Sequence, residues 1–242
     1  LLSVRLGRQD LIYGTGKVLL EGTPKDGSRT IYMDAVKLTL KPCPATSIDV
    51  LGIYNEPENE LVLHRENRDL TGFDPAYNDL TEKGGGLYLK NSRWERMPYE
   101  AYYLFKDESA WVNRAGETQP GAEVHTIGMR LMPKWNASFD GSLEAAFQTG
   151  ERGEADCEGY MVDGTLNWHL PVAKDWKPCL GAGLYLLSGD DPDSADDEGW
   201  NPLWARWPQY SELYIYAWDA EGAGRWSNLV MPHVDLSVAP AP

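Results

Sequence analysis

The chain has 242 residues, a hydrophobic content of 42%, and 37 acidic against 22 basic side chains, which gives a formal net charge of −15. This charge argues against nucleic acid as a partner, because phosphate contacts need clustered Lys and Arg. No apolar run approaches the roughly 18 residues of a membrane-spanning helix, so a helical membrane protein is excluded while a barrel of strands is not.

Predicted strands dominate the chain, and helical periodicity is scarce. Eleven segments favour strands by composition and by period-two patterning; they are 2–13, 29–42, 46–56, 84–92, 98–108, 123–133, 137–149, 158–171, 177–188, 211–219 and 227–239. Most exceed the usual length of about 5 or 6 residues in soluble sheets. They come close to the 9–11 residues with which a tilted strand crosses a bilayer.

The connections between these segments alternate between short and long. The short ones are KPCPATS, NSRWERMP, PKWN and PVAKDWK, and the long ones span 55–85, 106–123, 148–159 and 188–211. In an antiparallel sheet this alternation places all short connections at one end and all long ones at the other. Outer-membrane barrels are built in this way, with tight periplasmic turns and long external loops.

The stretch Gly159–Leu170 alternates between an apolar and a polar side. Tyr160, Val162, Leu166 and Trp168 fall on one side, and Asp163, Asn167 and His169 fall on the other. Bulky charged side chains recur on the polar side of strand after strand, where a dry core could not hold them but a water-filled lumen could. We therefore predict that the apolar side faces lipid, with Trp94, Trp135, Trp168 and Trp176 forming an aromatic girdle near the short turns.

The predicted fold is all-β, an antiparallel up-and-down transmembrane β-barrel of about 11 visible strands. We expect one domain over 1–242, incomplete at both ends, without enzymatic activity and without a cofactor. The alternative is a secreted soluble β-barrel or β-sandwich that binds carbohydrate, in which Trp204, Trp207 and Trp218 stack on sugar rings. A glycosidase acid pair such as Asp140 with Glu144 is disfavoured, because alternation on a polar face produces such pairs freely.

The predicted pore lining mixes both signs of charge. Its candidates are Arg5, Arg8, Lys37, Lys41, Lys106, Arg130, Glu144, Asp163 and His169. Arg8 breaks the pattern, because Leu6 and its alternate neighbours would place it on the lipid side. Either a bulge at Gly7 turns Arg8 into the lumen, or the strand has reached the membrane interface at Arg8. Arg8 is then either a lumenal cation that contributes to selectivity or a structural residue paired with a carboxylate of the neighbouring strand.

The acidic run 189–198 is the weakest candidate site. Asp190, Asp191 and Asp193 are oxygen ligands of the kind that Ca²⁺ prefers. The run lacks the spacing of an EF-hand loop, so a solvated loop is favoured and no metal site is predicted. The three cysteines, Cys43, Cys157 and Cys179, form neither a zinc motif nor a disulfide framework.

Two parts of the sequence resemble the alginate-export family of outer-membrane porins. In VRLGRQDLIYGTGKVLL and the strand after it, the matching positions are Gly7, Arg8, Gln9, Tyr13, Gly14 and Asp34. Toward the C-terminus they are Gly189, Asp190, Asn201, Pro202, Leu203 and Asn228.

This resemblance implies a monomeric barrel of about eighteen strands in the bacterial outer membrane. Such a barrel would contact lipid and lipopolysaccharide and would pass a polysaccharide or another hydrophilic solute. An anionic polymer calls for a cationic lumen, whereas this chain is acidic, so alginate and a general or sugar-related solute both stay open.

Overall fold

The computed structural model of the protein describes residues 1–21, 33–56, 81–112, 118–172, 175–205 and 227–239. Within these ranges no helix is long and apolar enough to cross a membrane. The predicted strand at 211–219, together with Trp207 and Trp218, lies outside the described residues.

The described residues form fourteen strands. In chain order they are β1 (Leu2–Gln9), β2 (Leu11–Ile12), β3 (Leu20–Glu21), β4 (Met33–Cys43), β5 (Thr46–Asn55), β6 (Glu82–Asn91), β7 (Tyr99–Glu108), β8 (Trp111–Val112), β9 (Thr118–Gln119), β10 (Ala122–Leu131), β11 (Phe139–Arg152), β12 (Ala155–His169), β13 (Cys179–Leu187) and β14 (Leu229–Ser237). Most of the longer ones have the 9–11 residues needed to cross a bilayer at a tilt.

The ten longer strands make one antiparallel sheet in the order β1-β4-β5-β6-β7-β10-β11-β12-β13-β14. Each therefore pairs with the next long strand along the chain, while β2 with β3 and β8 with β9 form two small ladders of their own. This up-and-down order confirms the predicted all-β barrel architecture. In the described part of the chain, β1 and β14 are the two edges of the sheet.

The connections sort by length between the two ends of the sheet, with one exception. Short turns join β4 to β5, β6 to β7, β10 to β11 and β12 to β13 at one end. At the other end, the predicted long loop 148–159 is wrong. The strands β11 and β12 continue through it and meet in a turn at 153–154, where Gly153 takes a φ of 62°.

The predicted first strand, 2–13, is also too long. It ends at Gln9, and the residues after it fold against the sheet instead of extending it. Gly14 and Gly16, with φ of 57° and 79°, turn the chain back so that the Tyr13 N–H donates to the Leu19 carbonyl. Two left-handed glycines within three residues are incompatible with a continuing strand.

The two sides of the sheet differ sharply in exposure, and β12 shows this best. Tyr160, Leu166 and Trp168 are 50%, 48% and 41% exposed, whereas Asp163 and Met161 are buried. The same parity holds on the other strands. The outer face carries these exposed apolar side chains: Leu6, Val36, Val50, Leu87, Ile127, Leu143, Phe147, Leu184 and Val234. The inner face carries the charged side chains and, beneath the segments that cover it, buried apolar ones such as Leu51, Leu104 and Met161. An exposed apolar outer face on long antiparallel strands is the arrangement of a membrane barrel, in which that face meets lipid.

The four tryptophans of the predicted girdle lie at the short-turn end. Trp94, Trp135 and Trp176 belong to the short connections and are more than half exposed, and Trp168 stands on the outer face near the end of β12. The Trp168 ring stacks on Phe139 of the neighbouring strand, with 6.1 Å between ring centroids. This placement fits aromatic side chains at a membrane interface.

Candidate functional site: the inner face of the sheet

A line of basic and acidic side chains crosses the inner face, and we call it the charged row. Direct cross-strand pairing brings its members side by side, in the order Lys90, Glu100, Arg130, Glu144 and Asp163, ending on Tyr185. Each member lies on the side of its strand that the alternation assigns to the interior. Opposite charges on facing positions attract across strands, so most of this row is stabilised by its own register.

One step along the strands, two tyrosines form a parallel line that we call the tyrosine row. Tyr88 and Tyr102 face each other on β6 and β7, and their rings stack with centroids 5.4 Å apart and planes 8° apart. The next position of this line is Gly128, where a Cβ would lie 2.3 Å from the Tyr102 ring. A glycine is required there because the ring occupies that space.

Hydrogen bonds join the two rows. The Tyr88 hydroxyl donates to Glu100 Oε2 at 2.8 Å, and the Tyr102 hydroxyl donates to Glu144 Oε1 at 2.9 Å. Arg130 Nη1 lies 3.4 Å from Glu100 Oε2. Hydrogen bonds to carboxylates are stronger than neutral ones, so the tyrosine rings are held in fixed orientations.

The segment 10–21, which we call the inner loop, packs on both rows. Leu11, Tyr13, Val18 and Leu19 are buried in it. The Tyr13 ring lies 4.4 Å from the Tyr88 ring, and the Tyr13 hydroxyl donates to Asp49 Oδ2 at 2.7 Å. The inner loop thereby fills the space above the tyrosine row.

The tip of the inner loop also contacts the charged row. The Thr15 hydroxyl donates to Glu144 Oε2 at 3.4 Å, and Lys17 Nζ lies 3.7 Å from Asp163 Oδ2. The same ammonium sits 3.8 Å from the centroid of the Tyr185 ring. The loop therefore presents hydroxyls and one cation to the carboxylates of the wall.

Burial shifts the titration of two groups in the inner loop, which lies outside the spanning strands. It lowers the pKa of Lys17 to about 8, although Asp163 and Glu144 oppose this shift by attracting the ammonium. Burial raises the pKa of Tyr13 above its ordinary value, and the hydrogen bond to Asp49 adds to that increase. Tyr13 thus stays a hydroxyl donor at neutral pH.

A second segment, 188–205, covers the inner face nearer the long-loop end, and we call it the outer loop. Trp200, Leu203 and Trp204 are buried in it. Lys106 anchors it, because the Lys106 ammonium donates to the Leu203 carbonyl at 2.6 Å while contacting Glu82 at 2.8 Å and Glu108 at 2.5 Å.

Further polar contacts fix the outer loop. Gln148 donates to the Asn201 carbonyl at 2.7 Å and accepts from the Asn201 N–H at 2.8 Å. At the rim, Arg152 donates to Asp197 at 2.7 Å. The two loops touch where the Trp204 N–H donates to the Val18 carbonyl at 3.3 Å, so they form one continuous cover over the part of the inner face that lies beneath them.

The structure gathers five of the predicted lining residues on the inner face: Lys37, Lys106, Arg130, Glu144 and Asp163. Lys37 lies 3.6 Å from Asp49. Arg5 faces Lys37 across β1 and β4 and is exposed at the edge of the sheet.

Lys41 and His169 lie near the short-turn end of the inner face. Lys41 is exposed where the register between β4 and β5 shifts. His169 is the last residue of β12, and its Nε2 lies 2.5 Å from Asp140 Oδ2.

Arg8 was predicted to line the pore, but the structure does not place it there. It lies on the outer face, where it pairs with Asp34 through two hydrogen bonds of 3.0 and 2.9 Å. The register of β1 with β4 is continuous through Gly7, so no bulge turns the side chain inward. Pairing with the neighbouring carboxylate reduces the cost of charge on this face.

The weak metal candidate also has a structural explanation. Asp191 accepts from the Asp193 N–H, and Asp190 accepts from the Glu198 N–H, so these carboxylates close turns in the outer loop. No group of three or more His, Cys, Asp or Glu side chains in the described ranges is arranged to hold a metal ion. The three cysteines, which belong to those ranges, are free thiols.

Sequence reasoning missed the two tyrosines of the wall and the inner loop. The alternation of sides along a strand would have indicated Tyr88 and Tyr102, because they lie on the same side of their strands as Lys90 and Glu100. The inner loop had a weaker signal, the glycines of YGTG. Trp204, proposed as a sugar-stacking residue in the soluble alternative, is instead buried under Lys106, whose Nζ is 5.5 Å from its ring.

An apolar outer face, a charged inner face and up-and-down strands define a β-barrel channel. The chain belongs to the alginate export family, whose model, described as "Alginate export", matches residues 68–242. The family resemblance stated from the sequence is thus confirmed, and the protein is of a class of outer-membrane transport channels for polysaccharide export. Among curated proteins, no match is found.

The matched range covers one of the two groups of residues on which the resemblance rested. Gly189, Asn201 and Asn228 lie within it, whereas Gly7 and Tyr13 precede it. The inner loop therefore lies outside the part of the chain that the family model matches.

Proposed function

We propose that residues 1–242 belong to a single barrel domain in the bacterial outer membrane, whose lumen serves the passive diffusion or export of a hydrophilic solute, either a polysaccharide or a small molecule. The observation that carries this proposal is the charged row, because it places five ionisable side chains side by side on the face opposite an exposed apolar surface. Ionised groups in a membrane protein are arranged along solute paths.

The proposed lining consists of Arg5, Lys37, Lys41, Lys106, Arg130, Glu144, Asp163 and His169. Their roles differ with their contacts. Lys106 holds the outer loop in place, whereas Arg130 and Lys37 lie near the tip of the inner loop and would set charge selectivity together with Glu144. Folded-in loops that narrow a lumen add to the selectivity set by the wall.

On the outside, the proposal places lipid against the apolar face and lipopolysaccharide against the long-loop end. Charged side chains such as Lys83 and Glu123 occupy the outer face near that end, and they mark the upper boundary of the apolar band. The proposed protein acts as a monomer, since a lipid-facing surface needs no partner subunit.

Single-channel recording tests the selectivity. Replacing Arg130 or Lys37 with Glu should shift the reversal potential in a salt gradient toward cations, because each change moves the local charge by two units. Lys83→Glu, which makes the same change on the outer face, is the matched control and should leave the reversal potential unchanged. Equal reversal potentials for all three variants would remove Arg130 and Lys37 from the selectivity surface.

Gel mobility tests the barrel itself. The protein should be recovered in the outer-membrane fraction and should migrate faster in SDS before boiling than after it, because closed barrels resist SDS until heated. A soluble protein with ordinary mobility would contradict the proposal and would favour the soluble carbohydrate-binding alternative.

A further inference from the structure

We propose that the tyrosine row and the carboxylates of the charged row form a binding site for a neutral, hydroxyl-rich saccharide, and that the tip of the inner loop occupies this site in its place. This inference rests on the proposed channel function and names the class of its solute. It assigns Tyr88 and Tyr102 to the sugar faces and Glu100 and Glu144 to sugar hydroxyls.

The loop tip presents chemical groups that a sugar residue also carries. The Tyr13 ring lies on Tyr88, the Thr15 hydroxyl donates to Glu144, and the Tyr13 hydroxyl donates to Asp49. A pyranose presents the same groups, an apolar face that packs on aromatic rings and hydroxyls that donate to carboxylates. Each of these three contacts of Tyr13 and Thr15 is thus one that a sugar residue could make instead.

The shape of the wall under the loop also suits a sugar ring. Between the Tyr13 ring and Thr15, Gly14 lies so close to the wall that a Cβ would be 3.1 Å from the Tyr88 hydroxyl and 3.6 Å from Glu144 Oε2. Neighbouring lines of inward side chains on a strand are separated by about 7 Å, twice the rise per residue. A sugar ring over the tyrosine row can therefore direct its hydroxyls at the charged row.

The charged side chains of the wall around the loop tip favour a neutral sugar. Around the loop tip the wall contributes four carboxylates, from Asp49, Glu100, Glu144 and Asp163, and three cations, from Lys37, Lys90 and Arg130. Lys17 supplies the fourth cation, but it belongs to the inner loop and leaves with it. Once the loop is displaced, acidic side chains outnumber basic ones by four to three on this part of the wall, which disfavours a uronate and suits a neutral sugar.

The experiment uses the full-length protein in planar bilayers. The double variant Tyr13→Ala/Thr15→Ala removes the ring and the hydroxyl of the tip, and a neutral glucose hexamer should then block its current at lower concentration than it blocks the wild-type current. A hexamer of uronic acid, equal in length, should block more weakly than the neutral one.

Adding Glu144→Gln to the double variant tests the assigned carboxylate. This change removes one charge-assisted hydrogen bond and should raise the dissociation constant of the neutral hexamer about tenfold. Glu123→Gln, which makes the same change on the outer face, is the matched control and should leave that constant unchanged.

The outcomes separate the two levels of the proposal. Stronger block by the uronate, or no effect of Glu144→Gln, overturns the neutral-saccharide site while the channel stands. Absence of any conductance from the wild-type protein overturns the channel as well.

If the double variant gives no heat-modifiable band, hydrogen exchange of residues 13–19 in the wild type replaces it. The neutral hexamer should speed that exchange by competing with the loop. Unchanged exchange overturns the site.

Discussion

Lys106→Met should loosen the outer loop. The Lys106 side chain is fully buried, and its ammonium joins the Leu203 carbonyl of the loop to Glu82 and Glu108 of the wall. Methionine has a similar length but no charge, so Glu82 and Glu108 would lose the Lys106 ammonium beneath the docked loop.

The size of the effect follows from this burial. Removing one partner of a buried ion pair costs about 3–5 kcal/mol, and most of that cost disappears when the loop lifts and water reaches Glu82 and Glu108. Because 1.4 kcal/mol is a factor of ten, the opening equilibrium of the outer loop should rise by about two to three and a half orders of magnitude.

Native-state hydrogen exchange with mass spectrometry measures this equilibrium directly. The reporter is the peptide 199–205, in which the N–H groups of Asn201, Leu203 and Trp204 are hydrogen-bonded in the docked loop. Lys83→Met, an exposed lysine on the outer face, is the matched control. Equal protection of this peptide in both variants would refute the reasoning.

Three further predictions concern the outer pair, the tyrosine row and the inner loop. Arg8→Ala should destabilise the barrel in urea unfolding by no more than about 1 kcal/mol, because the pair with Asp34 is half exposed and lies at the long-loop end of β1, beyond the apolar band. Gly128→Ala should destabilise it by about 1–3 kcal/mol by pressing on the Tyr102 ring. Finally, the single-channel open probability should fall as pH rises from 7 to 9. The pKa of Lys17 is lowered in the docked inner loop, so in this range the docked loop loses a proton that the displaced loop keeps. Rising pH therefore favours the docked loop over the displaced one.

Each of these has its own control. Arg8→Ala combined with Asp34→Ala should recover part of the loss, and no recovery would mean that the pair is not coupled. Gly164→Ala is the match for Gly128→Ala, since its Cβ would have only an ordinary contact at 3.7 Å, and equal losses would contradict the steric argument. Lys17→Met should abolish the pH response of the channel, and a persistent response would assign it to another group.

The faces of the strands could be predicted from sequence because alternation is a local property. Tyr160, Leu166 and Asp163 lie on the sides that their parity assigns. Arg8 shows the limit of this reasoning, because parity placed it outside but its partner depends on the register of β1 with β4, which brings Asp34 opposite it. Register is a non-local property that one sequence does not reveal.

The loops could not be predicted, for a different reason. LIYGTGKVLL has the apolar content of a strand, and nothing local indicates that Tyr13 finds its place against Tyr88 and Asp49, 75 and 36 positions further along the chain. The sequence likewise does not reveal that Leu203 and Trp204 are buried beside Lys106. These contacts form only after the sheet has been assembled, so the candidate site was predicted as a charged wall without the loops that cover it.

The apolar face should meet lipid and the charged face should meet water. Two adjacent positions on β12 test this orientation most directly. In a background with Cys43, Cys157 and Cys179 replaced by Ser, Leu166→Cys and Asn167→Cys place one thiol on each face. After reconstitution in lipid, we expect a membrane-impermeant maleimide to label Cys at 167 and not at 166. Labelling at 166 without labelling at 167 would contradict the account.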